Sequence, residues 1–488
     1  MTITADDIAA LVQKHYDALP AKRKPVVRNN GLREWVPLAG IVAQGEDDKL
    51  WCLSIATGMK CLPTSKIPRA RGNVLHDWHA EVLAIRAFNR FVLDECKALA
   101  QGRSSEFLRL RTAEEMASSI APESPRKGDG NGWDGQPFAW KEDILLHMYC
   151  SEAPCGDASM ELIMAAQEDA TPWELPPISL STVNPVPTTS NAGDTTISLP
   201  GRAFFSQLGV VRRKPARSDA PSTLSKSCSD KLALHQVTSL LSSVTTLLVN
   251  PRNVYLRTIV LPISRYDATS CRRAFSASEP DGRMRGLPSY LSPSPSPGSD
   301  EQAEVETQRP YAFHPFTVET SSSEFVFSQR SVVSSTSPSI STSTSGTEKD
   351  EEQKKDPKIV PSNLAAAWTL SGHEEATLGG VLQGRKQAAA DTKGASFASR
   401  RRMWGLAFKI VNLLLEREEQ GPQGEGLGAI ERNSAMAEIQ KALSSRTYGE
   451  VKDCNLLESR RRAKEEARAE ALKGWARNLG DESFSLGT

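Results

Sequence analysis

The chain carries no excess of charge of either sign: 59 Lys and Arg balance 59 Asp and Glu over 488 residues. That excludes a protein that grips nucleic acid by overall electrostatics, which would be basic, and leaves room only for a local basic groove. There is no dense cysteine framework. Eight Cys are scattered along the whole length, which excludes a disulfide-stapled secreted scaffold and points to a reduced, intracellular setting. No apolar run reaches the roughly 18 residues of a membrane span. The start, Met1 to Lys14, holds acidic residues and no signal-peptide pattern. No internal repeat is found, which excludes solenoids and propellers. Hydrophobic residues make up only 39%, so part of the chain is expected to lie outside any packed core. The length allows several domains or one large domain with insertions.

What is present reads as an α/β pattern. Ile8, Leu11, Val12 and Tyr16 recur at helical spacing within Ala5 to Leu19, behind Asp6 and Asp7. Leu38 to Ala43 and Leu50 to Ala56 read as strands, followed by a turn at Thr57-Gly58-Met59-Lys60-Cys61. Trp78 to Lys97 predicts a long helix. Asp143 to Cys150 and Val254 to Ile263 predict buried strands, and Asp157 to Gln167 and Ser229 to Val249 predict helices. Beyond Val360 the pattern is mostly helical, with candidates at Phe397 to Glu416, Ile430 to Ser445 and Leu456 to Asn478. Four stretches rich in Pro, Gly, Ser, Thr or mixed charge interrupt this pattern: 100–141, 172–200, 280–310 and 328–358. Such compositions bury too little apolar surface to fold, so disordered insertions are expected there. Residues 1–488 are therefore expected to form a single domain.

The chemistry centres on His79-Ala80-Glu81, at the start of the long helix. His-x-Glu alone is common in helices and carries little. Two further cysteines sit in matching contexts. Pro154-Cys155-Gly156-Asp157 follows a buried strand and precedes a helix, and Ser227-Cys228-Ser229-Asp230-Lys231 precedes another. A helix N-terminus stabilises a thiolate. A catalytic zinc keeps three protein ligands and leaves a fourth position open. His79, Cys155 and Cys228 can supply the three, and Glu81 sits close enough to move a proton without binding the metal. Cys61, Cys96, His147 and Cys150 are alternative ligands without this context.

These residues resemble the adenosine deaminase domain of eukaryotic RNA editing enzymes, and most closely the tRNA-specific deaminases that act on position 37 of alanine tRNA. The matching blocks are His79-Ala80-Glu81, Pro154 to Ala158, Arg213 to Pro221, Ser225 to Lys231, Asn253 to Leu256, His314-Pro315-Phe316, Gly384-Arg385-Lys386 and the Tyr448 to Trp475 tail. Spacing discriminates among deaminases. Position 158, where a close Pro-Cys-x-x-Cys pair would carry its second Cys, is Ala158, and Cys228 takes that part as in the RNA-adenosine enzymes. No pattern of a double-stranded RNA-binding domain is visible, which favours tRNA over long duplexes.

The resemblance implies a cytidine-deaminase-like core, a mixed sheet flanked by helices with both ligand-bearing helices on one face, enlarged by a C-terminal helical part. It implies Zn(2+) on His79, Cys155 and Cys228, with Glu81 as proton shuttle. It also implies inositol hexakisphosphate in the core, held by Arg86, Lys231, Arg400, Lys452, Arg462 and Trp475. Ile85, Leu234-His235 and Asn478 depart from the family's Arg, Arg-Trp and Lys, so that pocket is partly rebuilt. RNA is expected to meet Met59, Lys60 and His76 near the turn, and Arg213, Lys214 and Arg217 (with Arg212) in a basic cluster. The target adenosine must leave its stack, which is easiest in a loop. No DNA or membrane partner is expected, and the oligomeric state is open. The alternatives are a deaminase acting on other structured or double-stranded RNA, and a non-catalytic RNA-binding relative. Glu81 argues against the latter, since a structural zinc needs no such carboxylate.

Overall fold

The computed structural model describes residues 3–117, 133–167, 199–201, 205–214, 220–288, 311–335, 359–387, 392–420 and 427–487. Among these, eight strands build the central sheet. In chain order they are β1 (Leu38–Gln44), β2 (Leu50–Thr57), β3 (Leu145–Cys150), β4 (Leu256–Pro262), β5 (Thr317–Ser321), β6 (Leu364–Thr369), β7 (Glu374–Leu378) and β8 (Val381–Leu382). The order across the sheet is β5-β4-β3-β1-β2-β6-β7-β8. β3, β4 and β5 run parallel; the remaining pairs are antiparallel. A parallel step cannot be closed by a hairpin. The long passage from β3 to β4 therefore carries Cys155 and Cys228 past the end of β3.

β1 shows how one strand sorts two cores. Leu38 and Val42 face one side, and Ala39, Ile41 and Ala43 the other. On the first side lies α1 (Ala5–Asp17), closed at its start by a Thr4–Asp7 capping box. It buries Ile8, Val12 and Tyr16, worth about 1.5–3 kcal/mol for each apolar side chain. Gly40 permits this approach, because a Cβ there would lie 2.7 Å from Val12 Cγ1. The opposite side packs α2 (Ala80–Ala100) through Leu83, Ala84, Ala87, Phe88 and Phe91. The same core takes α3 (Cys228–Thr238) through Leu232, Ala233 and Val237. Both helices that begin at expected ligands thus share one face, as the mixed α/β reading requires.

Beyond them come α4 (Ala268–Phe275), α5 (Arg400–Gln420), α6 (Leu427–Leu443), α7 (Tyr448–Asp453) and α8 (Glu458–Glu470). Two expectations change. The stretch 100–141 is not wholly an insertion: Leu108–Leu110, Ala113–Ala117 and Phe138–Trp140 are regular. Phe107, Phe138 and Trp140 anchor it in the core; the glycines and prolines between them dominated the sequence pattern. Residues 118–132 lie outside the described residues, as do most of the other three stretches. Their described edges include a Leu199–Pro200 strand paired with Arg212–Arg213 and a short helix Gln329–Ser334.

The region after Val360 also holds three sheet strands before its helices. Leu364-Ala365-Ala366-Ala367 favours a helix by propensity. In the fold its small side chains alternate between the two cores, Ala365 and Ala367 on one and Ala366 on the other. Tertiary packing overrides the local preference.

Candidate active site

The turn after β2 runs beside the entry to α2. Leu62 N donates to His76 O at 2.8 Å, Trp78 N to Lys60 O at 3.0 Å, and Ala80 N to Gly58 O at 2.8 Å. Gly58, at φ +138°, is required here, since a Cβ would overlap the Trp78 carbonyl. This pairing presents Asp77, His79 and Glu81 inward.

Asp77 is the hub. Its Oδ1 accepts from His79 N at 3.0 Å and faces His79 Nδ1 at 2.9 Å. Its Oδ2 accepts from Lys214 Nζ at 2.9 Å, Ser225 Oγ at 2.6 Å and Lys231 Nζ. Lys231 Nζ also donates to Ser225 Oγ at 2.7 Å. Burial opposes the Asp77 charge, but Lys214, Lys231 and His79 hold its carboxyl well below the usual range. For His79, burial and Lys214 act downward, yet Asp77 and Cys61 prevail and hold it at about 10.

The two cysteine loops interlock. Cys228 N donates to Cys155 Sγ at 3.3 Å, and Ser229 N to Cys155 O at 3.0 Å. Ser229 Oγ donates to Pro154 O at 2.9 Å and accepts from Ala158 N at 3.1 Å. Gly156 has φ +105°, and a Cβ on it would overlap Ser227 Oγ. Ser227 caps α3, accepting from Asp230 N at 3.1 Å. Lys214 Nζ stands 3.2 Å from Cys228 Sγ. Hydrogen bonding from Cys228, against burial and with Lys214 and His79 nearby, pulls the Cys155 thiol well below its usual value. Burial, then the Cys155 thiolate, pushes Cys228 up. Glu81 is buried, and burial followed by Cys155 raises its carboxyl. A carboxyl raised in this way holds a proton more readily than an ordinary glutamate, as a proton carrier must.

His79, Cys155, Cys228 and Glu81 therefore meet in one place. Among the described residues, the set of three metal-type donors that lies within 4.8 Å of one another is a different one, Cys61, Asp77 and His79. Its Asp77 is already engaged by five donors, while a carboxylate offers about four lone-pair sites. Cys61 Sγ lies 3.6 Å from the same His79 Nδ1 that faces Asp77. Asp77 thus orients the His79 ring, as carboxylates do for metal-bound histidines.

Behind Asp77 lies a cavity of about 320 Å³. Ten Lys and Arg side chains line it against four carboxylates. Arg86, Lys231, Arg400, Lys452 and Trp475, all expected at a polyanion, are in its wall. Arg462 is not: it is 54% exposed and pairs with Glu458 across one helical turn. The α8 residues that do face inward are Arg460, Arg461, Lys464 and Arg468, joined by Lys226 and Arg477. Arg460, Lys464 and Arg468 recur every four residues, a signal in the sequence that their alternation with Glu hid. Trp475 lies between Lys226 and Arg468, with cation-to-ring distances of 5.4 and 5.5 Å. Burial, then neighbouring cations, pushes Lys226 down to about 7 and Lys464 well below its usual value. Among the described residues, Arg460 Nη1 and Arg468 Nε are buried without a partner. The C-terminal segment closes this cavity. Asp481 accepts from Gly72 N at 2.9 Å and Arg400 Nη1 at 3.3 Å, and Phe484 stacks on Tyr448.

The expected RNA contacts divide. Met59 packs partly into the α1-side core, and Lys60 bonds Asn363 at the surface. His76 is turned away from the ligand cluster: it bonds Asp481 at 2.9 Å in the wall of the cation cavity, where burial and Arg400 push it down to about 4. Lys214 is 5% exposed and Arg212 1%, so neither reaches an RNA backbone: Lys214 Nζ meets Cys228 Sγ, and the Arg212 backbone meets Ser227 and Asp230 while its side chain bonds Gly201 O and Gln207 O. Arg213 is half-buried. Arg217 lies outside the described residues. Asp77 and Ser225, central to the site, lack any metal-motif spacing and were missed by sequence reasoning.

Residues 54–478 match the adenosine-deaminase (editase) domain family. The chain is 37% identical over 324 residues to tRNA-specific adenosine deaminase 1 of Schizosaccharomyces pombe, covering 66% of this chain and 69% of that protein. It is 33% identical over 268 residues to the Saccharomyces cerevisiae protein of the same name, covering 53% and 58%. Over 173 residues it is 34% identical to the human protein of that name, covering 32% and 29%. A double-stranded RNA-specific editase of Drosophila melanogaster is 26% identical over 229 residues.

Proposed function

The chain belongs to the adenosine-deaminase (editase) domain family, and on that premise we propose that it converts adenosine to inosine in tRNA, at position 37 of alanine tRNA. The observation that carries this is the meeting of Glu81 with the interlocked Cys155 and Cys228 beside His79. The whole chain would act as one deaminase domain. The tRNA assignment rests on the relatives' names and on the greater identity to them than to the duplex-RNA editase.

The reaction consumes adenosine and water and releases inosine and ammonia. Zinc, held by His79, Cys155 and Cys228, would lower the pKa of water to about 7 and so supply hydroxide at neutral pH. Glu81 takes the proton from the attacking water and passes it to the departing amine. Its burial keeps that proton from exchanging with solvent, and its raised pKa suits both halves of the transfer. Asp77 fixes the His79 ring, and Lys214 steadies Cys228 from the other side.

The cation cavity fits inositol hexakisphosphate. Its excess of cations, with Arg460 Nη1 and Arg468 Nε unpartnered among the described residues, is costly without an anion. Lys231 touches both this cavity and Asp77, so the ligand would act as part of the fold.

The test is to incubate recombinant protein with alanine tRNA and with duplex RNA and to measure inosine by mass spectrometry. Inosine at position 37 is expected. Inosine in duplex RNA alone would move the assignment to the duplex editases, and none in either would end it.

A further inference from the structure

Each cysteine of the site is followed two residues later by an aspartate with no exposed surface, Asp157 and Asp230. Each aspartate is held by an arginine, and both arginines come from one short segment. Arg273 Nε is 3.1 Å from both Asp157 oxygens, and its Nη2 donates to Asp157 O at 3.3 Å. Arg283 Nη1 donates to Asp230 Oδ1 at 2.7 Å. The two arginines are tied to each other. Arg283 N donates to Arg273 O at 3.1 Å, and Arg283 Nε to Ala274 O at 2.8 Å. Arg273 lies on α4, and the turn after α4 brings Arg283 back beside it.

Each aspartate also holds the backbone of the segment leading to Lys214, and Asp230 holds Ser227 beside Cys228 as well. Asp157 Oδ1 accepts from Gly209 N at 2.9 Å, and Asp230 Oδ2 from Arg212 N at 3.0 Å and Ser227 Oγ at 2.6 Å. The segment around α4 is therefore a two-point brace, one point for each cysteine loop, with a fixed span between them.

We propose that Arg273 and Arg283 are positioning residues that set the Cys155–Cys228 sulfur spacing and thereby the retention of the metal. Neither touches a sulfur. Each acts through an aspartate two residues along the chain from its cysteine. The inference rests on His79, Cys155 and Cys228 holding zinc. Residues that orient ligands from one layer out commonly change metal affinity by about 10–100-fold when altered.

The experiment uses the full chain purified with its metal. Zinc transfer to the chromophoric chelator 4-(2-pyridylazo)resorcinol is timed for the wild type, Arg273→Lys and Arg283→Lys. Lysine keeps the charge and loses the second bonding point. A neutral pair, Asp230→Asn with Arg283→Gln, removes the clamp without stranding a buried charge. Arg111→Lys, at the buried Arg111–Asp134 pair, is the control for general loosening. Release at least tenfold faster in the clamp variants, with circular dichroism melts like that of the control, is the expected result. Release at the wild-type rate from any folded clamp variant overturns the proposal. So does acceleration of equal size in Arg111→Lys, or failure of every clamp variant to fold, since the pair would then be a general folding element. A wild type that carries no zinc would instead remove the metal assignment on which the inference rests.

Discussion

Lys214 Nζ donates to Cys228 Sγ across 3.2 Å while also holding Asp77 at 2.9 Å. One buried cation thus bridges the sulfur side and the histidine side of the site. Its position separates two roles that basic residues of this segment can take. Lys214→Met is expected to lower zinc affinity by about 10–100-fold and to leave the salt dependence of tRNA binding unchanged. If Arg213 meets phosphate, Arg213→Ala should reduce the slope of log K against log salt by about one and leave zinc content alone. Filter binding at several salt concentrations, with metal analysis of both variants, checks this pair of outcomes.

Glu81→Gln keeps the shape of the side chain and removes its ability to cycle a proton. Inosine formation under single-turnover conditions is expected to fall by about 10²–10⁴-fold. Zinc content and tRNA affinity should stay at wild-type levels. Parallel loss of metal would mean that Glu81 is a ligand and not a shuttle.

The cation cavity makes stability depend on pH in a definite direction. Burial, with Lys231 and Arg468 beside it, holds Lys226 at about 7 against 10.5 for an unperturbed lysine. Between those values the unfolded chain binds more protons than the folded one. Without an anion, this group makes stability rise as pH climbs from about 7 to 10.5, and its full penalty stands below 7. Urea midpoints of anion-free protein should follow that course. Inositol hexakisphosphate should raise the midpoint most at the acid end and flatten the slope. A midpoint indifferent to the anion at every pH would remove the ligand from this cavity.

Gly156→Ala tests how tightly the cysteine loops are interlocked. Its φ of +105° is a conformation that L side chains rarely adopt, and the new Cβ would overlap Ser227 Oγ. The strain alone costs about 1–3 kcal/mol, and moving Ser227 would disturb the cap of α3. Lower thermal stability together with faster zinc loss is expected. Gly102→Ala, at φ +81° with open space around it, should lower stability and spare the metal.

The sequence made the local parts of this architecture legible. α1, α2 and the strands β1 to β4 announce themselves through periodicity; His79 and Cys228 do stand at helix starts, whereas Cys155 precedes only a single 3-10 turn and the six-residue helix Met160–Ala165 in place of the helix expected from Asp157 to Gln167. It did not show what depends on distant packing. β6 is written in alanines that favour helix, and only its two packed faces make it a strand. Lys214 sits in a run of basic residues that suggests a surface, yet the fold turns it inward to meet Asp77. Arg462 and Arg461 are neighbours in one basic run, and a single step of helical rotation decides which faces the cavity.

The walls of that cavity come from residues as far apart as Val74 and Glu482. Contacts of such long sequence separation cost loop-closure entropy and slow folding. As they form, they bring the cations together, and without an anion between them the cations repel one another. The supply of a polyanion during folding would then govern how many molecules reach the native state. Two preparations of the same chain should differ in the number of active molecules and agree in the turnover of each.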